Sequence, residues 1–128
     1  MSDLQALTAE LLAFRDARDW RQFHSLRNLI VSLNLEAGEL LELTQWKSDE
    51  EIEALAVEPA TAEALRDECA DILLYLLLIA ETAGMDLLAA ARSKLAKNDE
   101  KYPIELARGS RAKYTALKPP TGGRLEQD

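Results

Sequence analysis

The segment from Thr61 to Ala83, TAEALRDECADILLYLLLIAETA, contains neither glycine nor proline, and its portion ILLYLLLIA (72–80) is apolar around nearly the whole circumference of a helix. A helix of that kind must be buried. The apolar run is too short to span a bilayer as a helix, so it predicts a protein core and no membrane partner. Helix breakers are scarce elsewhere. The chain has 5 Gly and 4 Pro, and two of each fall in KPPTGG near the C-terminus. With few breakers in residues 1–102 and no convincing strand pattern, the expected class is all-α, a four-helix-bundle-like domain. A chain of 128 residues supports one core.

The spacing of Leu4, Leu7, Leu11, Leu12 and Phe14 predicts a first helix from about Asp3 to Arg18. RDWRQFH (18–24) breaks that period and reads as a connection carrying two aromatics and the only histidine. A second helix is expected from about Ser25 to Thr44. Ser48 followed by Glu51 has the form of a capping box and predicts a short helix, interrupted by VEPA. The long helix, from about Thr61 to Ala83, should end on Gly84 as a C-terminal cap. Asp86 can cap a further helix from Leu87 to about Lys101, closed by the Tyr-Pro pair. The expected organisation is a helical domain over 1–103 and an extended polar arm over 104–128, disordered at its end.

A net charge of −8 argues against binding a nucleic-acid polymer. It is compatible with a nucleotide if a divalent cation stands between acidic side chains and phosphates. The single cysteine, Cys69, cannot form an internal disulfide, and MSDLQALTAE does not read as a secretory signal. A cytoplasmic location is therefore expected.

The acids carry the functional information. Glu36, Glu39 and Glu42 stand at three-residue intervals on the second helix, where Leu26, Leu29, Ile30, Leu33, Ala37, Leu40 and Leu41 share one arc. Glu36 projects from the edge of that arc, Glu39 lies one step further round, and Trp46 falls on their side. The plain alternative is a solvated acidic flank, the usual place for glutamate. On the long helix, Arg66, Asp67 and Glu81 define a polar side. Glu68, Asp71 and Tyr75 project from the other, among Leu65, Ile72, Leu76 and Ile79.

Carboxylates in an apolar stripe need compensation. Residues 69–91 contain no Lys or Arg, so it must come from elsewhere in the fold or from a cation. If the two helices pack antiparallel, four carboxylates converge. Hard oxygen donors suit Mg²⁺ or Mn²⁺, and Mg²⁺ prefers to share phosphate oxygens. A di-iron carboxylate bundle would want Glu-x-x-His pairs, and His24 does not lie three residues after a glutamate.

EAGE followed by ECAD resembles the metal motif of the all-α nucleotide pyrophosphohydrolases, the MazG-like superfamily. RDWRQFHSLRNL, EAGELLELTQWK, DECADILLYLLLIA and KYPIELARGSRAKYTAL resemble its dCTP pyrophosphatase branch, with coverage from about Phe14 to Leu117. The resemblance implies hydrolysis of a nucleoside triphosphate between the α and β phosphates. It implies Glu36, Glu39, Glu68 and Asp71 as Mg²⁺ ligands, and Glu39 is our choice for the group that also activates water. Glu42 falls outside this quartet.

Trp20, Phe23, His24, Trp46 and Tyr75 match positions that enclose base and sugar, with Arg21 and Gln22 as neighbouring candidates. Tyr75 would form a wall excluding a 2′-hydroxyl, and Gln22 or His24 could read cytosine. Lys94 and Asn98 match residues reaching phosphates and metal waters, and Tyr102 is a further candidate. Lys97 reads as part of a solvated basic face. Arg108, Arg111 and Lys113 in the arm could close over a neighbouring subunit's triphosphate. The family's tetramer, a dimer of dimers with composite sites, would cover the apolar 72–80 segment. Alternatives are a dUTP-preferring or broad-specificity relative, a nucleotide-binding bundle without turnover, and a purely structural bundle.

Overall fold

Serine caps and a single proline set most helix starts. In the computed structural model, which describes residues 2–117, helix α1 spans Asp3–Ala17 and α2 spans Leu26–Glu42. Helices α3, α4 and α5 follow at Asp49–Leu55, Pro59–Ala83 and Leu87–Lys101, and α6 is the single turn Ile104–Ala107. Short 3₁₀ turns occupy Arg21–Phe23 and Tyr114–Ala116, and no strand occurs among the described residues. The expected all-α class is what the chain adopts.

Ser2 Oγ accepts the Gln5 N–H at 3.2 Å while Gln5 Oε1 accepts the Ser2 N–H at 2.9 Å, a reciprocal capping box. The predicted box at Ser48 and Glu51 forms in the same way, at 3.2 and 3.3 Å. Ser25 Oγ accepts the Asn28 N–H at 3.1 Å at the head of α2. Gly84 closes α4 with φ 68°, left-handed as expected.

Three boundaries differ from the sequence expectation. Helix α4 starts at Pro59 instead of Thr61, because proline lacks only an N–H that the first turn leaves unused. Helix α2 stops at Glu42, and residues 43–46 form turns, so Trp46 is off the helix with φ 64°. The arm is not extended throughout, since it contains α6 and a 3₁₀ turn. The disorder expected at its end concerns residues outside the described ones.

The chain packs as two compact units, the first ending at Asp86 and the second beginning at Leu87. Within the first, α2 against α4 is the principal pair, and α1 and α3 also lie on α4. Leu65 borders a groove with Leu40 and Leu43, whereas Glu68 meets Glu36 and Glu39, so α2 and α4 run antiparallel. Their core holds Leu29, Leu77, Leu78 and Ala80, with Leu55 and Ala62 also buried. Leu29 is only 2 % exposed.

The 72–80 segment is mostly covered within the chain itself. Leu73, at 39 % exposure, is its one exposed residue, so an oligomer is not needed to bury this run. Exposed apolar side chains instead gather on α2, at Leu26, Ile30, Val31, Leu35 and Leu41. Among the described residues, no single helix is long and apolar enough to cross a membrane.

Candidate active site

The antiparallel pairing brings the two acidic motifs face to face. Glu36, Glu39 and Glu68 each present a carboxylate oxygen, and these oxygens lie within 4.8 Å of one another. Oε2 of Glu36 and Oε2 of Glu68 are buried and have no hydrogen-bond partner. An orphaned acceptor of that kind is costly, and an ionised one more so. Burial, followed by the neighbouring Glu39 carboxylate and the charge of Asp71, pushes the Glu36 carboxyl up to about 7. Burial and then Glu39 also raise Glu68.

Three crowded carboxylates with two unused oxygens fit a divalent cation, which would take up those oxygens and remove the repulsion. Asp71 is not one of the close trio, although its charge acts on both Glu36 and Glu68. Glu42 is exposed and lies outside the group.

Asp71 instead joins the trio to a cavity of about 200 Å³. Phe14, Trp20 and Tyr75 give this cavity aromatic walls, and Leu11, Leu74 and Leu78 complete its apolar lining. Its polar groups are Arg15, His24 and Asp71. Phe14 and Trp20 meet edge to face at 5.7 Å, and the Arg18 guanidinium lies 3.6 Å from the Phe14 ring centre. His24 Nδ1 is buried without a partner; burial, and then the Arg15 charge, lowers the imidazole's pKa below its ordinary value and favours the neutral ring.

Of the aromatic and polar candidates, the structure brings Trp20, His24 and Tyr75 to this cavity, but not the others. Arg21 borders an adjoining depression with Arg15, His24, Glu81 and Thr82. Gln22 is exposed and its amide donates to the Asp19 carbonyl at 2.9 Å and to Asp19 Oδ2 at 3.0 Å. Phe23 is exposed, and Trp46 is 93 % exposed. Asn98 and Tyr102 border a depression within the second unit, where Tyr102 packs edge to face on Tyr114 at 6.3 Å. Lys94 is exposed on α5.

Sequence reasoning missed Arg15, Phe14 and Leu11 as cavity residues. Phe14 and Leu11 counted only toward helical periodicity. Arg15 sits in FRDARD, a run of charges that reads as solvated, yet its residue is 7 % exposed.

An all-α domain that sets carboxylates from two antiparallel helices beside an aromatic cavity has the parts needed to hold a cation and a flat ring together. Residues 31–117 match the MazG-like family, and the chain belongs to that family. It is 45 % identical over 117 residues to dCTP pyrophosphatase 1 of Rattus norvegicus, covering 91 % of this chain and 67 % of that protein. It is 44 % identical to dCTP pyrophosphatase 1 of Homo sapiens over the same length, with the same coverage. The crystal structure of a pyrophosphatase from Archaeoglobus fulgidus superposes with a TM-score of 0.72 at 38 % identity, covering 80 % of this chain and 94 % of that one.

Proposed function

We propose that the chain is a nucleoside triphosphate pyrophosphohydrolase that cleaves dCTP, and related or base-modified pyrimidine deoxynucleotides, between the α and β phosphates. The products are the nucleoside monophosphate and pyrophosphate, and the role is cleansing of the nucleotide pool. The observation that carries this reading is the carboxylate trio, with two orphaned oxygens, joined through Asp71 to an aromatic cavity. The resemblance to dCTP pyrophosphatases supplies the substrate.

Glu36, Glu39, Glu68 and Asp71 would hold Mg²⁺, with Mn²⁺ as a substitute. When bound, such an ion supplies neutralisation of phosphate oxygens and a lowered pKa for water. Glu39, an exposed member of the trio, orients the attacking water and accepts its proton. Trp20 and Tyr75 receive the base by stacking, which gives affinity with little choice among bases. Tyr75, one turn beyond Asp71, presses against the sugar and disfavours a 2′-hydroxyl. Lys94 and Asn98 offer donors suited to phosphates, and Tyr102 a further one. Phe23, Arg21, Gln22 and Trp46 enter the site only in an assembled oligomer, for which a dimer-of-dimers tetramer is the expected form. The apolar row exposed on α2 supports such an assembly.

A panel of triphosphates tests the substrate reading. The kcat/KM for dCTP should exceed those for dUTP, dTTP and CTP, with dCMP and pyrophosphate as products. Equal turnover of CTP and dCTP would remove the role given to Tyr75, and a preference for dUTP would replace the substrate.

A further inference from the structure

We propose that Arg15 reads the base in this site, its guanidinium donating a two-pronged hydrogen bond to N3 and O2 of cytosine; this rests on the reading of the chain as a dCTP pyrophosphohydrolase. Arg15 is the one buried charged residue among the described residues, and it lines the cavity beside Phe14, Trp20 and Tyr75. Stacking on those rings cannot choose between pyrimidines, so the choice falls to the polar groups at the cavity wall.

The side chain is half used. Its Nε donates to Asp16 Oδ1 at 2.8 Å, and this is its only hydrogen bond or ion pair among the described residues. Both Nη groups are left over. They form a planar pair of donors with no accepting capacity, suited to two acceptors placed side by side. Asp16 already balances the charge, so the fork is matched to a neutral polar edge as well as to an anion.

Cytosine offers such an edge, because N3 and O2 are adjacent acceptors with a spacing like that of carboxylate oxygens. Uracil and thymine carry a hydrogen on N3, so one prong would meet a donor and a buried donor would go unpaired. The penalty for that mismatch is the source of discrimination. His24 and Asp71 are the cavity's other polar groups, and His24, favoured as the neutral ring, adds no second cation that would draw the phosphates inward.

The test compares dCTP with dUTP and with 3-deaza-dCTP, whose N3 is replaced by C–H. Wild-type protein should turn over 3-deaza-dCTP with a kcat/KM roughly ten- to a hundredfold below that for dCTP, as expected for losing a bidentate base contact. Arg15→Leu should shrink the dCTP-to-dUTP ratio by a similar factor, mainly by lowering dCTP turnover. Arg15→Lys, a point charge without the fork, should not restore it. If Arg15→Leu fails to fold, the analogue comparison on wild-type protein still decides. Equal turnover of 3-deaza-dCTP and dCTP, or an unchanged ratio in a folded variant, overturns the role of Arg15 while leaving dCTP hydrolysis standing. Absence of dCTP turnover by wild-type protein overturns the functional reading and this inference with it.

Discussion

At the scale of single residues, the site is governed by where a proton or a cation can satisfy crowded oxygens. Glu36 has an ordinary value of 4.5 and is raised to about 7 in the fold. Between those values the folded chain holds a proton that the unfolded chain has released. The cation-free protein therefore loses stability as pH rises from 4.5 towards 7, and the full penalty is present above that window. Divalent cation binds the ionised form, so the gain in Tm on adding Mg²⁺ should grow across the same window. Glu68→Gln should leave Tm unchanged or higher without the cation, and should lose most of the Mg²⁺-linked gain. Melting curves at several pH values check both, and a variant that keeps the full gain would contradict the placement of the cation.

Glu36, Glu39 and Glu68 were legible in the sequence because i, i+3 spacing leaves little freedom in where they point; Asp71, expected to join them, stands outside the close trio and lines the cavity. Arg15 was not legible, since an arginine among charged neighbours gives no sign of its burial. The side on which Trp46 falls was extrapolated from the helical repeat past the expected helix end at Thr44, whereas the chain already turns at residues 43–46. A tryptophan with φ 64° cannot be anticipated from helical periodicity.

At the scale of elements, the α2–α4 pair supports the site. Its antiparallel register puts Glu36 and Glu39 opposite Glu68, and Leu29 helps lock the packing. Helix existence and order followed from leucine spacing and caps, and the ends were the weaker part. Serine caps act locally and marked the starts of α2 and α3 well. The end of α2 carries no glycine, and the chain leaves the helix through turns at residues 43–46.

Gly84 gives a clean measure of one such end. A Cβ there would meet nothing within 4 Å, but φ is 68°. The cost of Gly84→Ala is therefore backbone strain alone, about 1–2 kcal/mol. Denaturant unfolding should show that loss with an unchanged m-value, and a neutral result would contradict the strained cap.

At the scale of the whole molecule, the exposed apolar row on α2 is the feature a lone chain leaves unexplained. Val31 and Leu35, one turn apart on α2, are 50 % and 64 % exposed and offer an apolar patch for a covering surface. A charge placed there should break assembly. Leu35→Glu is expected to shift light-scattering mass from that of the proposed tetramer towards a smaller species without loss of helix content. An unchanged mass would remove α2 from the interface. The sequence pointed to the 72–80 run as a surface in need of cover, and α1, α2 and α3, which all pack on α4, supply most of that cover within the chain.

In the proposed mechanism, carboxylates from two helices hold a cation and so direct cleavage to the α–β bond. Phosphorus NMR of dCTP mixed with the protein and Mg²⁺ tests it most directly. A pyrophosphate resonance should grow together with that of dCMP, and should be lost in Glu39→Gln. Orthophosphate appearing with dCDP, or product formation undiminished in that variant, would contradict it.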